Sequence, residues 1–361
     1  MKRLLKIILR VVIFAIVAVL LFAVGYLAYV FASYKRIDDN VKCDIVNKTE
    51  EQVETNKEYT FVTYNVGFGA YCQDFTFFMD GGKESRARSK ELMLELIDGA
   101  ANLVKTYDPD FIAFQEVDIN STRSYNYNQV NELAGIFNTY SYTYAVNYDS
   151  AYLLYPFTKP HGKSKSSLMT LSKFKMEDSL RRQLPISTSF TKFLDLDRAF
   201  DVVRYKVGEH ELVIINTHMS AYGGSDEIRT SQMTMVFETM QSEYEKGNWV
   251  ICAGDFNHDF TGNSTETLNP GAGDQDYGWA QPFPIDLLNQ YTGLVRQTNY
   301  NNGELKPTCR NCDVPYVVGN QVFIVDGFIT SVNVEVTSLE NISTDFIYSD
   351  HNPVVMKFIL K

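Results

Sequence analysis

The stretch Trp249-Val250-Ile251-Cys252-Ala253-Gly254-Asp255-Phe256-Asn257-His258-Asp259 is an apolar run that stops at a glycine and continues into an acid and an amide two positions apart. A buried strand ends in this way when its last residues face a site rather than a core. Gly254 lets the backbone turn without a Cβ, and strand alternation then sends Asp255 and Asn257 to the same side. Three other apolar stretches repeat the design, ending in Tyr64-Asn65, Gln115-Glu116 and Asn216-Thr217-His218. A fifth polar cluster, Ser349-Asp350-His351-Asn352-Pro353, precedes a final apolar run. Five such clusters in one chain are more than satisfied core polar groups account for.

Outward from this stretch, the pattern alternates strands with a few helices. Ser225 to Lys246 reads as a helix with Met233, Val236, Phe237, Met240 and Tyr244 inward, closed by Gly247. The Met stripe there is core rather than a cofactor box. Ser85 is placed to cap a helix reaching about Thr106, with Leu92, Leu96, Ile97, Ala100, Leu103 and Val104 on one face. Tyr127 to Phe137 reads as a second helix. Tyr59–Asn65, Asp110–Glu116, Tyr142–Tyr148, Ser167–Ser172, Ala199–Val207, Leu212–Asn216, Phe323–Thr330 and Val354–Leu360 read as strands. Thr261 to Tyr277, rich in Gly, Asn, Asp and Thr, reads as a surface loop, and Lys159 to Ser167 is the most basic loop. Helices come between some strands and not others, an order that favours mixed sheets with helices outside.

The N-terminal end has a different character. Lys2, Arg3, Lys6 and Arg10 precede an uncharged run from Val11 to Ser33. As a helix that run would be ~33 Å long, enough to cross a hydrocarbon core of about 30 Å. It exceeds the usual apolar core of a secretory signal, so a retained anchor is favoured over cleavage near Ala28 or Ala32. The flanking charges place the N-terminus in the cytoplasm and the remainder outside, in a single pass through the cell membrane. The expected organisation is a basic cytoplasmic segment (1–10), a transmembrane anchor (11–33), a polar linker on which no structure is forced (34–57) and one folded domain (58–361).

Charge narrows the partners. Six of the 33 bases and none of the 44 acids lie in residues 1–36, so the remainder holds 27 bases against 44 acids, net −17. A body so acidic has no global field to draw in DNA or RNA, which leaves nucleic acid to a local basic rim and disfavours it as substrate. Five cysteines do not make a disulfide framework, and Cys309-Arg-Asn-Cys312 lacks the second pair of a zinc ribbon. On an outer face that pair has the spacing to close a small disulfide loop.

Glu116 and Asn65 offer carboxylate and amide oxygens, the donors preferred by a hard divalent ion such as Mg²⁺, with Mn²⁺ as the alternative. Zinc would want clustered histidines or thiolates, and the five histidines are scattered. His218 and His351 have the chemistry to reach a phosphate, one as base toward water and one as donor. Asp326, an acid in an apolar strand, is a natural orienter for such a histidine. Gly-x-Ser-x-Gly, P-loop and Rossmann patterns are absent.

At these residues the chain resembles the endonuclease/exonuclease/phosphatase superfamily, the DNase I-like metal-dependent phosphoesterases. Thr63-Tyr-Asn-Val66, Pro109-Asp-Phe-Ile-Ala-Phe-Gln-Glu116, Asn216-Thr-His218, Gly254-Asp-Phe-Asn257, Ile324-Val-Asp-Gly327 and Ser349-Asp-His351 occur in the family's order. The resemblance implies a four-layer α/β sandwich of two packed mixed sheets with outer helices. It implies that Glu116 and Asn65 bind Mg²⁺ with Asp350 near the metal, and that His351, oriented by Asp326, activates water. Asp255 and Asn257 would position the nucleophile and phosphate, and His218 would donate to the phosphoryl group. Asp255 and His351 stay joint candidates for the base. Arg123, shortly after Glu116, is a candidate phosphate holder.

The substrate branch is less defined. Ser167-Leu-Met-Thr-Leu-Ser172 departs from the family's Gly-x-Ala-Ile-Leu-Ser, and the inositol-phosphatase patterns after Asn257 and Cys312 are not matched. The anchor and the acidic body favour a lipid headgroup or small phosphoester, in a sphingomyelinase-like activity, over a DNase I-like nuclease. A surface binding protein that kept the fold and lost catalysis is the reading from another class. No protein partner is expected.

Overall fold

A computed structural model of the chain describes residues 2–33, 36–187, 197–221, 226–269 and 279–361. Two seven-stranded mixed sheets carry the fold. One runs β1 (Val41–Lys42), β7 (Asp178–Gln183), β8 (Ala199–Val207), β9 (His210–His218), β10 (Trp249–Asp255), β16 (Asp326–Ser331), β13 (Leu294–Arg296) from edge to edge. The other runs β17 (Val334–Asn341), β18 (Val354–Leu360), β3 (Glu58–Asn65), β4 (Phe111–Asp118), β6 (Lys165–Ser172), β5 (Ser141–Asp149), β2 (Ile45–Val46). Two short ribbons pair β11 (His258–Asp259) with β12 (Gln281–Pro282), and β14 (Cys309–Arg310) with β15 (Val322–Phe323).

Each sheet has one parallel pair at its centre, β3–β4 in one and β9–β10 in the other, with antiparallel neighbours outside. Parallel strands need a crossover, and a helix makes it in both cases: α2 (Lys90–Lys105) and α4 (Asp226–Glu245). Strand alternation then builds the layers. In β10, Ile251 and Ala253 face the other sheet in a core with Phe61, Phe111, Tyr205, Phe328 and Phe358. Val250 and Cys252 face α4, where Met233, Val236, Phe237 and Met240 cover them. On the far side Ile97, Ala100 and Val104 of α2 cover Val62, Ile112 and Phe114. The order helix, sheet, sheet, helix is the four-layer sandwich expected, and the Met stripe of α4 is core. Shorter helices α3 (Gln129–Ile136), α5 (Ser264–Leu268) and α6 (Ile285–Leu288) fill connections.

Some expected boundaries move. Ser89, not Ser85, caps α2 by accepting from Leu92 N, because the Ser85 hydroxyl donates instead to the Lys159 carbonyl. Phe323–Thr330 is not one strand: Phe256 N and Phe260 N bond to the Val325 and Ile324 carbonyls, splitting it so that β16 begins at Asp326. The loop expected over 261–277 contains α5, and its residues 270–277 lie outside those described.

The largest correction concerns residues 34–57. Beyond Arg36 this segment is built into the fold: β1 adds to β7 in one sheet and β2 to β5 in the other. The buried Arg181 gathers the Ile37 and Asp38 carbonyls, and Val53 enters the inter-sheet core. Two-residue strands held by backbone pairing leave no periodic trace in a polar sequence.

Helix α1 (Lys2–Ser33) is long and apolar enough to cross a membrane and is exposed along its length, with only Val30 buried.

Candidate active site

Strand register brings the polar ends together. Asp255, last in β10, lies opposite Asp326, first in the antiparallel β16, and beside His218, last in the parallel β9. Asn65 ends β3 in the facing sheet, beside Gln115 of β4. The strand ends of both sheets open into one cleft of about 120 Å³, room for a cluster of waters. Its walls include Glu116, Arg123, Arg198, His218, Asp255, Asn257, Asp350 and His351, and its mouth includes Tyr71, Phe77 and Met79.

Asp255 is the hub. Its Oδ2 accepts from Asn65 Nδ2 at 3.0 Å and lies 3.5 Å from His218 Nε2 and 3.7 Å from His351 Nε2. Its Oδ1 accepts from the Asn257 backbone N–H at 2.9 Å. His351 is held from behind, its Nδ1 2.8 Å from Asp326 Oδ2. Asp326 is itself fixed by Thr308, whose hydroxyl oxygen accepts from Asp326 N at 3.1 Å. Ser349 ties the loop down, donating to the Asn65 carbonyl at 2.8 Å and accepting from His351 N.

Electrostatics follow from this burial. Burial pushes the Asp255 carboxyl up to about 7 against the pull of His351. Burial opposes charge on the His351 ring, yet Asp326, Cys309 and Asp255 hold its pKa well above the usual imidazole value. His218 falls well below that value through burial, with Arg198 and His351 adding like charge. Their surroundings thus move the two histidines in opposite directions, His351 toward its charged form and His218 toward its neutral one.

Two site residues sit in left-handed backbone that side chains avoid: Glu116 (φ +56°) and Asn257 (φ +49°). Glu116 lies in a bulge, where the β4–β6 register shifts between Phe114 and Val117. Such bulges re-aim a side chain, here into the cleft. Gly254 has no substitute, since a Cβ would lie 2.0 Å from the Thr217 carbonyl oxygen.

The remaining expected residues lie as follows in and around the cleft. Arg123 is engaged by carboxylates: its Nε and Nη2 meet both Asp118 oxygens at 3.0 and 2.9 Å, and Nη2 lies 3.3 Å from Glu116 Oε2. It stacks on Phe68, 3.8 Å from the ring centroid, and buttresses Glu116 from the cleft wall. Burial raises the Glu116 carboxyl, Arg123 pulls it down, and Asp350 raises it further. Asn65 turns its amide nitrogen to Asp255 and its oxygen to the Gly67 N–H at 3.0 Å, which leaves one lone pair on that oxygen. Asn257 Nδ2 donates to the Met219 carbonyl and keeps a second hydrogen. Gln115 and Asn216, also polar strand ends, serve the core instead: Gln115 Nε2 donates to Asn216 Oδ1 at 2.8 Å across the sheets.

A metal ion fits the donor chemistry. Asp255, Asp326 and His351 place ligand atoms within 4.8 Å of one another, all buried. The hydrogen bond between His351 Nδ1 and Asp326 Oδ2 competes with that use. Glu116 and Asp350, which also line the cleft, are the alternative oxygen donors, Asp350 lying close enough to raise the Glu116 carboxyl.

The family model for the endonuclease/exonuclease/phosphatase family matches residues 62–351. The chain belongs to that family. No curated protein matches the sequence, but solved structures share the fold. An endonuclease/exonuclease/phosphatase from Bacteroides vulgatus aligns at 14% identity and TM-score 0.54 over 85% of this chain and 100% of its own. One from Beutenbergia cavernae aligns at 15% identity and TM-score 0.53 over 84% of this chain and 72% of its own. ANGEL2, a 2′,3′-cyclic phosphatase, aligns at 16% identity and TM-score 0.51 over 89% and 98%. Members of this family are hydrolases of phosphoric ester bonds, and metal dependence is typical of them.

Sequence patterns missed several site residues. Arg198 lines the cleft at 9% exposure and has no hydrogen-bonded partner for its guanidinium among the described residues, only the Tyr148 ring at 5.7 Å. It precedes β8 without any motif around it, so burial alone reveals it. Cys309 and Cys312 are free thiols at the site, Cys309 Sγ 3.6 Å from His351 Nε2 and Cys312 Sγ 3.6 Å from Asp350 Oδ2. Their three-residue spacing drew attention in the sequence, but their place beside the histidine follows only from the bridge between Cys309 and His351.

Proposed function

We propose that the chain is a membrane-anchored, outward-facing, Mg²⁺-dependent phosphoesterase acting on a lipid headgroup or other small phosphodiester or phosphomonoester. The observation that carries this reading is the convergence of Asn65, His218, Asp255, Asp326 and His351 at one end of the sandwich. Glu116 and Asp350, with the remaining lone pair of Asn65, would hold the ion. Bound there, Mg²⁺ supplies positive charge against which a phosphoryl oxygen is polarised.

The chain's own residues do the rest. Arg198 offers an unspent guanidinium to a phosphoryl oxygen, and the second hydrogen of Asn257 Nδ2 offers another bond to it. His218 adds a donor beside Asp255. A water placed between Asp255 Oδ2 and His351 Nε2, which are 3.7 Å apart, would give its proton to that pair. Asp255 and His351 thus remain joint candidates for the base, with Asp326 fixing the ring. The anchor reading rests on α1 and on Lys2, Arg3, Lys6 and Arg10 ahead of it.

His351→Ala and Glu116→Ala, assayed against a panel of phosphodiesters with and without Mg²⁺, test the assignment. Each substitution is expected to lower turnover by about 10²–10⁴-fold. Unchanged turnover in both rejects it, and a Mg²⁺ titration showing no binding at Glu116 revives the binding-protein reading. Sphingomyelin and plasmid DNA in the same panel separate the lipid reading from a nuclease; the 2′,3′-cyclic phosphate named for ANGEL2 belongs there too.

A further inference from the structure

The outer end of α1 does not stand clear of the body. Tyr26 Oη donates to the Tyr152 carbonyl at 3.0 Å and accepts from Leu154 N at 3.2 Å, while Tyr29 Oη accepts from Tyr152 N at 3.2 Å. The helix is thus bonded to the 152–154 loop roughly one to two turns inside its last residue, Ser33. A bilayer core takes about 20 helical residues, and the uncharged run is Val11 to Ser33. Counted from Val11 that core ends near Val30, so a spanning α1 carries Tyr26 and Tyr29 in its outermost turns, at the interface where aromatic belts sit. The loop bonded to them lies at the same depth.

That loop continues into side chains suited to a headgroup layer. Tyr155 is 55% exposed and Phe157 81% exposed, their ring centroids 5.9 Å apart. Inward, Tyr155 lies against Phe78 at 5.7 Å, and Phe78 against His161 at 5.6 Å. His161 lines the catalytic cleft, as does Met79, itself half exposed. Aromatic ring contacts thus lead from the loop bonded to α1 to a residue lining the site.

We propose that Tyr155, Phe157 and Met79 form a lip seated in the outer headgroup layer beside α1, over which a phosphoester lipid of the same leaflet enters the cleft. This rests on the phosphoesterase reading above and narrows its substrate to a membrane lipid, rather than a polymer arriving from solution. The acidic body beyond residue 36 agrees, since it repels nucleic acid while the lip binds through apolar area.

The full chain in phosphatidylcholine vesicles provides the test. Tryptophan fluorescence of Phe157→Trp, over the wild-type background, is expected to be quenched by lipids brominated high on the acyl chain. Val332→Trp, at the opposite end of β16, is expected to escape quenching. Phe157→Ser should slow hydrolysis of vesicle phospholipid or sphingomyelin about tenfold, the scale of losing one buried aromatic, with turnover of soluble bis(p-nitrophenyl) phosphate unchanged. No quenching at position 157, or equal effects on both substrates, overturns the proposal. So does a wild-type chain that cleaves the soluble diester or plasmid DNA but no vesicle lipid, a result that leaves the phosphoesterase reading standing. A chain that cleaves nothing with Mg²⁺ removes that reading, and quenching then decides the membrane contact alone.

Discussion

At the scale of single residues, the site is a hub carboxylate with a histidine on either side and an acid behind one of them. Asp326 touches the cleft only through His351, so Asp326→Asn tests positioning. It should cut kcat by about 10²–10⁴-fold and shift the pH–rate profile, while a merely structural loss would leave the profile in place. Arg198 is expected to act on binding. Arg198→Ala should raise KM for a phosphodiester and weaken inhibition by inorganic phosphate, each by about tenfold, the worth of one charge-assisted hydrogen bond. Arg198→Lys should recover part of that loss, and equal KM in all three proteins would remove Arg198 from the substrate site. Asp255, His218 and Asp326 drew attention in the sequence because each ends or interrupts an apolar run, and His351 because its polar cluster stands just ahead of one. Arg198 was not, because an arginine in front of a strand breaks no pattern. The engagement of Arg123 with Asp118 was equally hidden, since five residues of separation say nothing about which way a guanidinium turns.

At the scale of elements, backbone geometry decides where those side chains point. Gly254→Ala places a methyl 2.0 Å from a main-chain oxygen of the neighbouring strand, and that oxygen cannot move without breaking the β9–β10 ladder. A loss of about 4 kcal/mol, or failure to fold, is expected from urea titration, at the upper end of single substitutions. A midpoint within error of wild type would show that the register here is softer than described. Strands and crossover helices were readable from period and length, as the apolar faces of α2 and α4 show. The Glu116 bulge and the paired two-residue strands β1 and β2 were not, because neither changes composition or period. The latter carry their own prediction: a chain beginning at residue 57 should melt several degrees below one beginning at residue 36, the shift expected from losing a few kcal/mol of edge pairing and the Val53 contact.

At the scale of the whole molecule, the two sheets are joined by polar as well as apolar groups. Asp201 of β8 accepts from Ser179 of β7 at 2.9 Å and from Thr170 of β6 in the facing sheet at 3.4 Å, and Thr143 of β5 donates to Ser179. Burial pushes the Asp201 carboxyl from 3.8 up to about 7 despite these donors. The folded chain therefore keeps a proton that the unfolded chain has released across that window. The contribution to stability is whole below the lower value and declines as pH rises toward the upper one. Asp201→Asn stays neutral throughout, so the difference between urea midpoints at pH 5 and pH 8 should shrink relative to wild type. An unaltered difference would mean that Asp201 is ionised in the folded protein at both pH values.

The segment following α1 clips one strand onto the rim of each sheet, and its Arg36 bonds to Asp197, the neighbour of Arg198. On the anchored reading proposed above, shedding and survival are set by where a protease cuts. Cleavage ahead of Arg36 would liberate a body with both hems sewn, whereas cleavage past Val46 would unpick both seams at once and remove the support that Arg36 lends to the neighbour of Arg198.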